Sequence, residues 1–358
     1  MHMHTSQKLV ALVLAGLSAM AAGSAAAARA QTSINGLVYA DFSDKQNKDK
    51  ATNVKSSDSG VGTDVKRFYF TLTHEFDSIW SAQFQTDIGD QGAKRYDVFV
   101  KKAYIKAKLD SLFQVLLGSA NQPWIPYVDD ITGFRYVEQS ITDRLGFGNS
   151  ADWGVHVIGT SDNKVLNYDV VADNGRGYSN PTRSKSVDFE GRVGLQPVPG
   201  LNLAAGFLSG KRGLDTYTTP ALHTATRWDG LAAYNADYFH LGGEYFQAKN
   251  YNNVTTVATD KADGFSIWAS LIPTPAWTIF GRYDKANPSK DLKPGLKDNF
   301  FDAGLQWRAN KSFAASLVYK NEEVKGGTIS TSDGTIGSTK STNKGDYNEV
   351  GVWTVYSF

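Results

Sequence analysis

The chain contains no cysteine, which excludes a disulfide scaffold, a thiolate-ligated zinc site and a cysteine nucleophile. It also has almost no net charge: 37 basic and 36 acidic residues leave no global basic field for nucleic acid. Beyond residue 30, no apolar stretch approaches the roughly 18–20 residues of a membrane-spanning helix. A mean hydropathy of −0.34 likewise excludes a polytopic helical membrane protein. Aromatic residues, by contrast, are abundant at 12%.

Residues 1–30 have the pattern of a secretory signal peptide. Lys8 precedes an apolar run from Leu9 to Ala22, and Ala28-Arg29-Ala30 forms a small-x-small cleavage site. A transmembrane anchor is the alternative reading of this apolar segment, but the cleavage site favours a signal peptide. We therefore expect a cleaved signal peptide at 1–30 and a single exported domain at 31–358.

Alternation of apolar and polar residues, which is typical of a strand with two different faces, recurs along the rest of the chain. From Trp80 to Ile88, for example, the even-numbered positions are mostly apolar and the odd-numbered positions are polar. Sixteen such segments are separated by connectors that alternate between short and long. These segments begin near Ile34, Val65, Trp80, Tyr96, Leu112, Ala151, Val165, Val187, Leu201, Ala225, Tyr238, Ala262, Trp277, Asp298, Phe313 and Asp346.

An even number of up-and-down strands returns both chain ends to one side, so the sheet can close on itself. Closure pairs every backbone N–H and C=O, which hydrocarbon would not solvate, and it removes the sheet edges. Apolar residues then face lipid, and polar residues face a wet interior. A soluble β-sandwich also alternates, but its buried face would not carry so many charges. We therefore predict an all-β fold, a sixteen-stranded antiparallel transmembrane β-barrel.

The C-terminal segment supports this prediction. Its one face carries Val350, Val352, Thr354, Tyr356 and Phe358. This pattern resembles the terminal strand of Gram-negative outer-membrane barrel proteins, which implies that Tyr356 and Phe358 are recognised by the barrel-assembly machinery. Residues 31–358 as a whole resemble the sixteen-stranded trimeric porins.

One stretch resembles the phosphate-selective porin group. It runs from Val100-Lys101-Lys102-Ala103-Tyr104-Ile105 through Gly118 to Pro123-Trp124. The chain departs from that group because it has no arginine-rich ladder, which argues against phosphate selectivity.

The porin resemblance implies that the third extracellular loop, residues 120–150, folds into the barrel and narrows the pore. A loop of this length is usually functional, and its aromatic residues suit packing against the wall. In the loop, the candidate constriction residues are Asp129, Asp130, Arg135, Glu138 and Asp143. From the wall, alternation directs Arg67, Lys102 and Lys106 into the lumen. Acids and bases facing each other across a narrow pore filter ions and orient polar solutes.

Lys101 does not fit strict alternation. If Lys102 faces the lumen, Lys101 faces lipid, at a cost of about 2–4 kcal/mol near the bilayer midplane. Either a bulge shifts the register here, or Lys101 lies near an interface or in a subunit contact.

These features predict a passive diffusion channel for ions and small hydrophilic solutes across the bacterial outer membrane. An anion- or phosphate-selective porin is the alternative. The expected partners are solutes, membrane lipid and the assembly machinery, and the resemblance implies a homotrimer. We expect no cofactor, no metal and no nucleic acid.

Two other classes of protein have weaker support. An outer-membrane hydrolase needs a Ser–His–acid site, and no spacing or local motif joins the histidines of this chain to such a site. An adhesin would have the same strands around a blocked pore. The Ser/Thr/Gly/Asn/Lys-rich loops at residues 43–64 and 323–345 are expected to be mobile.

Overall fold

A computed structural model describes residues 30–50, 52–90, 96–219, 222–255, 257–338 and 344–358. The signal peptide expected at 1–30 lies outside these residues except for Ala30, and so does most of the connector expected at 90–95. Within the described part, no helix is long and apolar enough to cross a membrane.

Sixteen of the strands form one closed antiparallel barrel, as expected from the alternation. Each strand pairs with its neighbours in sequence, and the first strand pairs with the last. The barrel strands are β1 (Gln31–Asp49), β2 (Gly60–Glu75), β3 (Trp80–Asp90), β4 (Tyr96–Lys108), β5 (Gln114–Asn121), β6 (Ala151–Thr160), β7 (Leu166–Asp173), β8 (Asp188–Leu195), β9 (Leu201–Gly210), β10 (Ala225–Asn235), β11 (Phe239–Lys249), β12 (Lys261–Thr274), β13 (Trp277–Asn287), β14 (Lys297–Arg308), β15 (Phe313–Lys325) and β18 (Lys344–Ser357).

The remaining elements lie in two of the long connectors. Helices α1 (Ile125–Thr132) and α2 (Ile141–Arg144) follow β5, and a small hairpin of β16 (Thr328–Thr331) and β17 (Gly334–Gly337) precedes β18.

The two faces of the barrel wall differ in chemistry along every well-formed strand. In β10, Arg227 and Asp229 are buried, whereas the intervening Trp228 is 65% exposed. In β12, Ser266 is buried and its neighbour Ile267 is 52% exposed. Because a closed barrel shelters only its interior, the charged positions face inward and the exposed apolar positions form the outer surface. This is the distribution of a barrel whose outer face contacts hydrocarbon.

Two β-bulges interrupt the alternation on neighbouring parts of the wall. Between β1 and β2, Tyr39 pairs with Arg67 and Ala40 pairs with Val65, which leaves Lys66 as an extra residue. A bulged residue shifts the face on which its neighbours lie. Lys66 and Arg67 are therefore both directed inward.

The second bulge, between β3 and β4, resolves the problem of Lys101. Gln85 pairs with Lys102 and Thr86 pairs with Val100, so Lys101 is the extra residue. Lys101 is only 5% exposed, and its ammonium lies inside the wall, where Nζ donates to the Tyr69 hydroxyl over 2.8 Å. Of the alternatives left open by the sequence, the structure shows the bulge.

The first and last long connectors are more ordered than expected. The loop expected at residues 43–64 is largely strand, because β1 extends to Asp49 and β2 begins at Gly60. The loop expected at residues 323–345 contains the β16–β17 hairpin, in which Ile336 is fully buried against Leu296, Val324 and Tyr347. Polar composition predicted mobility here, but strand pairing and a small apolar cluster hold the described parts of these segments.

A substitution at Gly118 in β5 tests how closely β5 packs against β4. Its φ of +133° is unfavourable for any other residue, and an added Cβ would lie 2.1 Å from the backbone oxygen of Ala103. We expect Gly118→Ala to destabilise the barrel by about 1–3 kcal/mol from backbone strain alone. The measurement is the guanidinium midpoint of unfolding in detergent micelles, followed by tryptophan fluorescence.

Gly230→Ala is the matched control, since nothing lies within 4 Å of an added Cβ at that position. Equal midpoints for the two variants would show that β4 and β5 are not packed as described.

Candidate functional site

The connector after β5, residues 122–150, will be called the long loop. It begins with α1, which has Pro126 in its first turn and ends at Gly133, whose φ is +79°. Proline suits the first turn, where its missing N–H needs no partner, and glycine adopts the left-handed conformation that terminates a helix. The Gly133 N–H donates to the carbonyl oxygen of Asp129 over 2.9 Å. These residues fix the position of the helix and hence of its acidic C-terminal turn.

Apolar side chains attach the long loop to one side of the wall. Trp124, Ile125 and Val128 are almost fully buried and pack against Leu231 and Trp268, from β10 and β12. Further along, Tyr136 and Val137 pack against residues of β13, β15 and β18, namely Phe280, Val318 and Trp353. Burying these large side chains stabilises the loop in one place, because each removes a large apolar area from water.

Arg144, at the end of α2, is the strongest polar attachment. Its guanidinium lies 2.6 Å from Asp298, 2.9 Å from Glu322 and 3.2 Å from Asp284, and the four side chains have no exposed surface. Ion pairs shielded from water depend on one another, because losing one partner leaves the others charged and buried. Arg144 therefore anchors the loop to β13, β14 and β15.

Backbone carbonyls of the long loop are also held by basic residues of the wall. The carbonyl of Pro123 accepts from Arg192 Nε over 2.8 Å, and that of Gln139 accepts from Arg282 Nη1 over 2.6 Å. The carbonyl of Phe147 accepts from Arg227 Nη1. These strands, β8, β10 and β13, lie on the same half of the barrel as the apolar contacts. Within the described ranges, no hydrogen bond or ion pair joins the long loop to β2, β3 or β4.

The candidate residues of the long loop fall into two groups. Arg135 binds two of the acids: Nε lies 3.0 Å from Asp129 and Nη2 lies 3.2 Å from Asp143. Glu138 pairs with Lys320 of β15 at 3.0 Å and is only 6% exposed, so it attaches the loop to the wall. Asp130 has no ion pair among the described residues, and it borders two cavities of about 270 and 660 Å³.

Burial affects the ionisation of these acids. It raises the pKa of Asp129 to about 6, although the Arg135 guanidinium opposes the shift. Burial also raises the pKa of Asp130, and the charge of Lys102 opposes this shift.

The part of the wall to which the long loop has no hydrogen bond or ion pair within the described ranges is basic, and it will be called the basic wall: Arg67 of β2 with Lys101, Lys102 and Lys106 of β4. Arg67 pairs with Asp87 at 3.1 Å, but the three lysines have no ion pair among the described residues. In the β3–β4 ladder, Lys102 lies opposite Gln85 and Lys106 lies opposite Ser81. Both partners are on the polar, inward face of β3. The structure thus brings Arg67, Lys102 and Lys106 to one side of the interior, together with Lys101.

The C-terminal residues close the barrel rather than line its interior. The backbone of Phe358 exchanges two hydrogen bonds with Gly36 of β1, at 2.8 and 3.1 Å. The side chains of Tyr356 and Phe358 are 47% and 53% exposed, and their ring centroids are 6.0 Å apart. Both rings therefore lie on the outer surface at the closing seam.

The chain matches no protein-family model and no curated protein sequence. It does match solved structures, and these matches identify the fold. An anion-selective porin from Comamonas acidovorans is 14% identical, with 92% of this chain and 100% of that one covered at a TM-score of 0.66. The outer membrane channel DcaP of Acinetobacter baumannii is 12% identical, with coverages of 94% and 100% and a TM-score of 0.65. The trimer form of OmpT from Vibrio cholerae is 12% identical, with coverages of 92% and 100% and a TM-score of 0.60.

The chain has the fold of the sixteen-stranded outer-membrane porins. In this porin fold, sequence reasoning missed Lys66 as an inward residue, because period-2 alternation ignores bulges. For Lys101, a bulge was one of the alternatives that the sequence left open. A usable signal was present, since each lies beside another base, in Lys66-Arg67 and Lys101-Lys102. Arg144 was missed as an anchor, because its three acidic partners lie on three different strands.

The β16–β17 hairpin was also missed. Asp333, in its turn, is 3% exposed and lies 3.7 Å from Lys320 and 3.9 Å from Lys66. The hairpin therefore reaches the wall beside the basic wall and touches the lysine that holds Glu138.

Among the described residues, no group of three or more His, Asp or Glu side chains is placed to hold a metal ion.

Replacing the Arg144 guanidinium tests the anchoring of the long loop. We expect Arg144→Gln to cost about 3–5 kcal/mol of stability, because three buried carboxylates lose their shared partner. Trypsin cleavage after Arg135 should become faster in the folded barrel, and mass spectrometry of the fragments measures it.

Lys290→Gln removes the same charge from an exposed pair with Asp263 and is the control. Exposed ion pairs contribute little to stability, so this variant should resemble the parent. Equal protease resistance of Arg144→Gln and the parent would contradict the anchoring role.

Proposed function

We propose that this protein is a passive diffusion channel for ions and small hydrophilic solutes in the bacterial outer membrane. The observation that carries the proposal is the one-sided attachment of the long loop. The loop is fixed to β8 through β15 and β18, while the basic wall opposite has no hydrogen bond or ion pair to it within the described ranges. The open route for solutes then runs between α1 and the basic wall.

The long loop would form the constriction of this route. A barrel of sixteen strands is too wide to be filled by its own side chains, so a segment that narrows it determines which solutes pass. The long loop supplies apolar anchors on one side and carboxylates at the end of α1. We infer that it folds into the lumen from the outer side of the membrane, where the long connectors lie.

The two sides of the constriction carry opposite charge. We assign Asp129 and Asp130 to one side, with Arg135 between the loop acids, and Arg67, Lys102 and Lys106 to the other. Asp143 contributes through its pair with Arg135, whereas Glu138 serves mainly as an anchor through Lys320. A transverse field of this kind acts on every charged or dipolar solute in the pore.

An anion-selective channel is the second candidate. The bulge adds Lys101 to the basic wall, and the three lysines of that wall have no ion pair among the described residues. The solved porin from Comamonas acidovorans, which shares the fold, is described as anion-selective. Uncompensated positive charge raises the local concentration of anions, which supports this candidate.

The proposal also covers the setting of the channel. The exposed apolar outer surface fits lipid, and the C-terminal aromatics Tyr356 and Phe358 are available to the barrel-assembly machinery. A solved OmpT structure with the same fold is described as a trimer form, and we propose a homotrimer here. A hydrolase or adhesin remains a less favoured function, since the site geometry supports diffusion without a covalent step.

The absence of cysteine offers a sharp test of the constriction. A cysteine introduced as Asp130→Cys is the only thiol, so a bulky methanethiosulfonate reagent attaches at that point alone. We expect labelling to reduce single-channel current in a planar lipid bilayer, because the added group occupies the narrow part of the pore.

Asp291→Cys, in the exposed connector between β13 and β14, is the matched control and should conduct as before after labelling. Unchanged current through Asp130→Cys, with complete labelling shown by mass spectrometry, would refute the constriction. No conductance from folded parent protein would refute the channel itself.

Charge reversal at Lys102 tests the basic wall. We expect Lys102→Glu to shift the reversal potential in a salt gradient toward cation preference, because a lumen charge changes sign at the constriction. Lys185→Glu, in the exposed connector after β7, should shift it much less. Equal shifts for the two variants would place Lys102 outside the selectivity-determining region.

A further inference from the structure

A group of aromatic rings lies beside the basic wall. The aromatic track consists of Phe99, Tyr178, Tyr69, Tyr39 and Tyr136. The rings of Phe99 and Tyr178 are stacked: their centroids are 5.7 Å apart and their planes differ by 20°. Tyr39 lies 6.2 Å from Tyr69 on one side and 6.2 Å from Tyr136 of the long loop on the other. The track thus extends from the basic wall to the loop.

The rings of the track face the interior and remain partly accessible. In the strand ladders, Tyr39 lies opposite Arg67 and Phe99 lies opposite Asp87. Both of these partners belong to the polar face of the wall. Tyr39, Tyr69, Phe99 and Tyr178 are only half-buried. Tyr39 also borders the cavity of about 270 Å³ that contains Asp130. A solute in the pore therefore meets the faces or edges of aromatic rings.

Lys101 connects the two parts of the track. Its Nζ lies 4.6 Å from the ring centroid of Tyr69 and 5.5 Å from that of Tyr178, and it donates to the Tyr69 hydroxyl. No carboxylate forms an ion pair with Lys101 among the described residues, although its side chain is almost buried. Aromatic faces attract a cation without supplying a counter-charge, so an anion beside the track meets the field of Lys101.

The opposite side of the pore restricts the class of anion. Asp130, which has no ion pair among the described residues, repels a second negative charge, so a suitable solute carries its charge at one end only. Its other end meets the rings of Tyr39 and Tyr69, where a planar apolar group packs well. These two requirements describe a monocarboxylate with an aromatic ring.

The geometry points to a binding subsite for aromatic monocarboxylates in the constriction, formed by Lys101 and the aromatic track. This inference rests on the proposed channel function and adds a solute class to it. The carboxylate lies toward Lys101 and Lys102, and the ring lies on Tyr69 and Tyr39. Solutes of this class dwell in the pore, whereas small inorganic ions pass beside the track.

The experiment measures block of potassium chloride current through the full-length channel by benzoate. Acetate supplies the carboxylate without the ring, and benzylammonium supplies the ring with the opposite charge. We expect benzoate to reduce the current at concentrations at which acetate and benzylammonium do not. Equal block by either reference solute would overturn the subsite.

Variants assign the block to residues. Lys101→Met and Tyr69→Leu should each raise the half-blocking benzoate concentration by about two- to five-fold, the size of an exposed cation–π or ring contact. Tyr69→Phe retains the ring and should preserve the block. Tyr104→Leu, an inward residue of the same strand as Lys101 but outside the track, is the control.

The outcomes separate the subsite from the channel function. Current in potassium chloride alone tests the channel function. A protein that conducts but is not blocked by benzoate therefore refutes only the subsite. A half-blocking concentration that is unchanged in both Lys101→Met and Tyr69→Leu, or raised equally in Tyr104→Leu, also refutes it. Folded protein that does not conduct refutes the channel and the subsite together.

Discussion

The pairing of backbone hydrogen-bonding groups is the constraint on which the rest of this structure depends. In hydrocarbon an unpaired N–H or C=O has no solvent to bind, so a sheet that crosses a membrane must close. Here closure joins β1 to β18, and the last hydrogen bonds of the seam link Gly36 to Phe358. Closure also separates an outer apolar face from an inner polar one, and that separation creates the site.

A closed wall of sixteen strands leaves an interior that only an additional segment can narrow. In the proposed channel this segment is the long loop, which two kinds of contact hold against the wall. Trp124 and its apolar neighbours pack against β10 and β12, and Arg144 forms its buried ion pairs with β13, β14 and β15. Burial makes these ion pairs stronger and more costly to break. The rigidity of the loop therefore comes from its contacts with one half of the wall.

Much of the fold was predictable because a strand in such a barrel reveals itself locally. The expected starts at Trp80, Ala225, Trp277 and Phe313 coincide with the observed ones, since alternation needs no knowledge of the partner strand. The bulge at Lys101 depends on the register with β3, which single-strand alternation does not contain. Arg144 and the β16–β17 hairpin depend on residues distant in sequence, and polar composition alone suggested mobility for the hairpin segment.

The two bulges explain how a nearly neutral chain presents a basic wall. A regular strand turns only every second residue inward, so adjacent bases such as Lys101 and Lys102 would face opposite sides. A single extra residue turns both inward, and the same device acts on Lys66 and Arg67 in β2. The charge on the inner face of the wall is therefore set by register more than by composition. Because Lys66 is paired with Asp41 and Asp64 while Lys101 lies beside Tyr69 and Tyr178, only the second bulge directs inward a lysine that has no ion pair among the described residues.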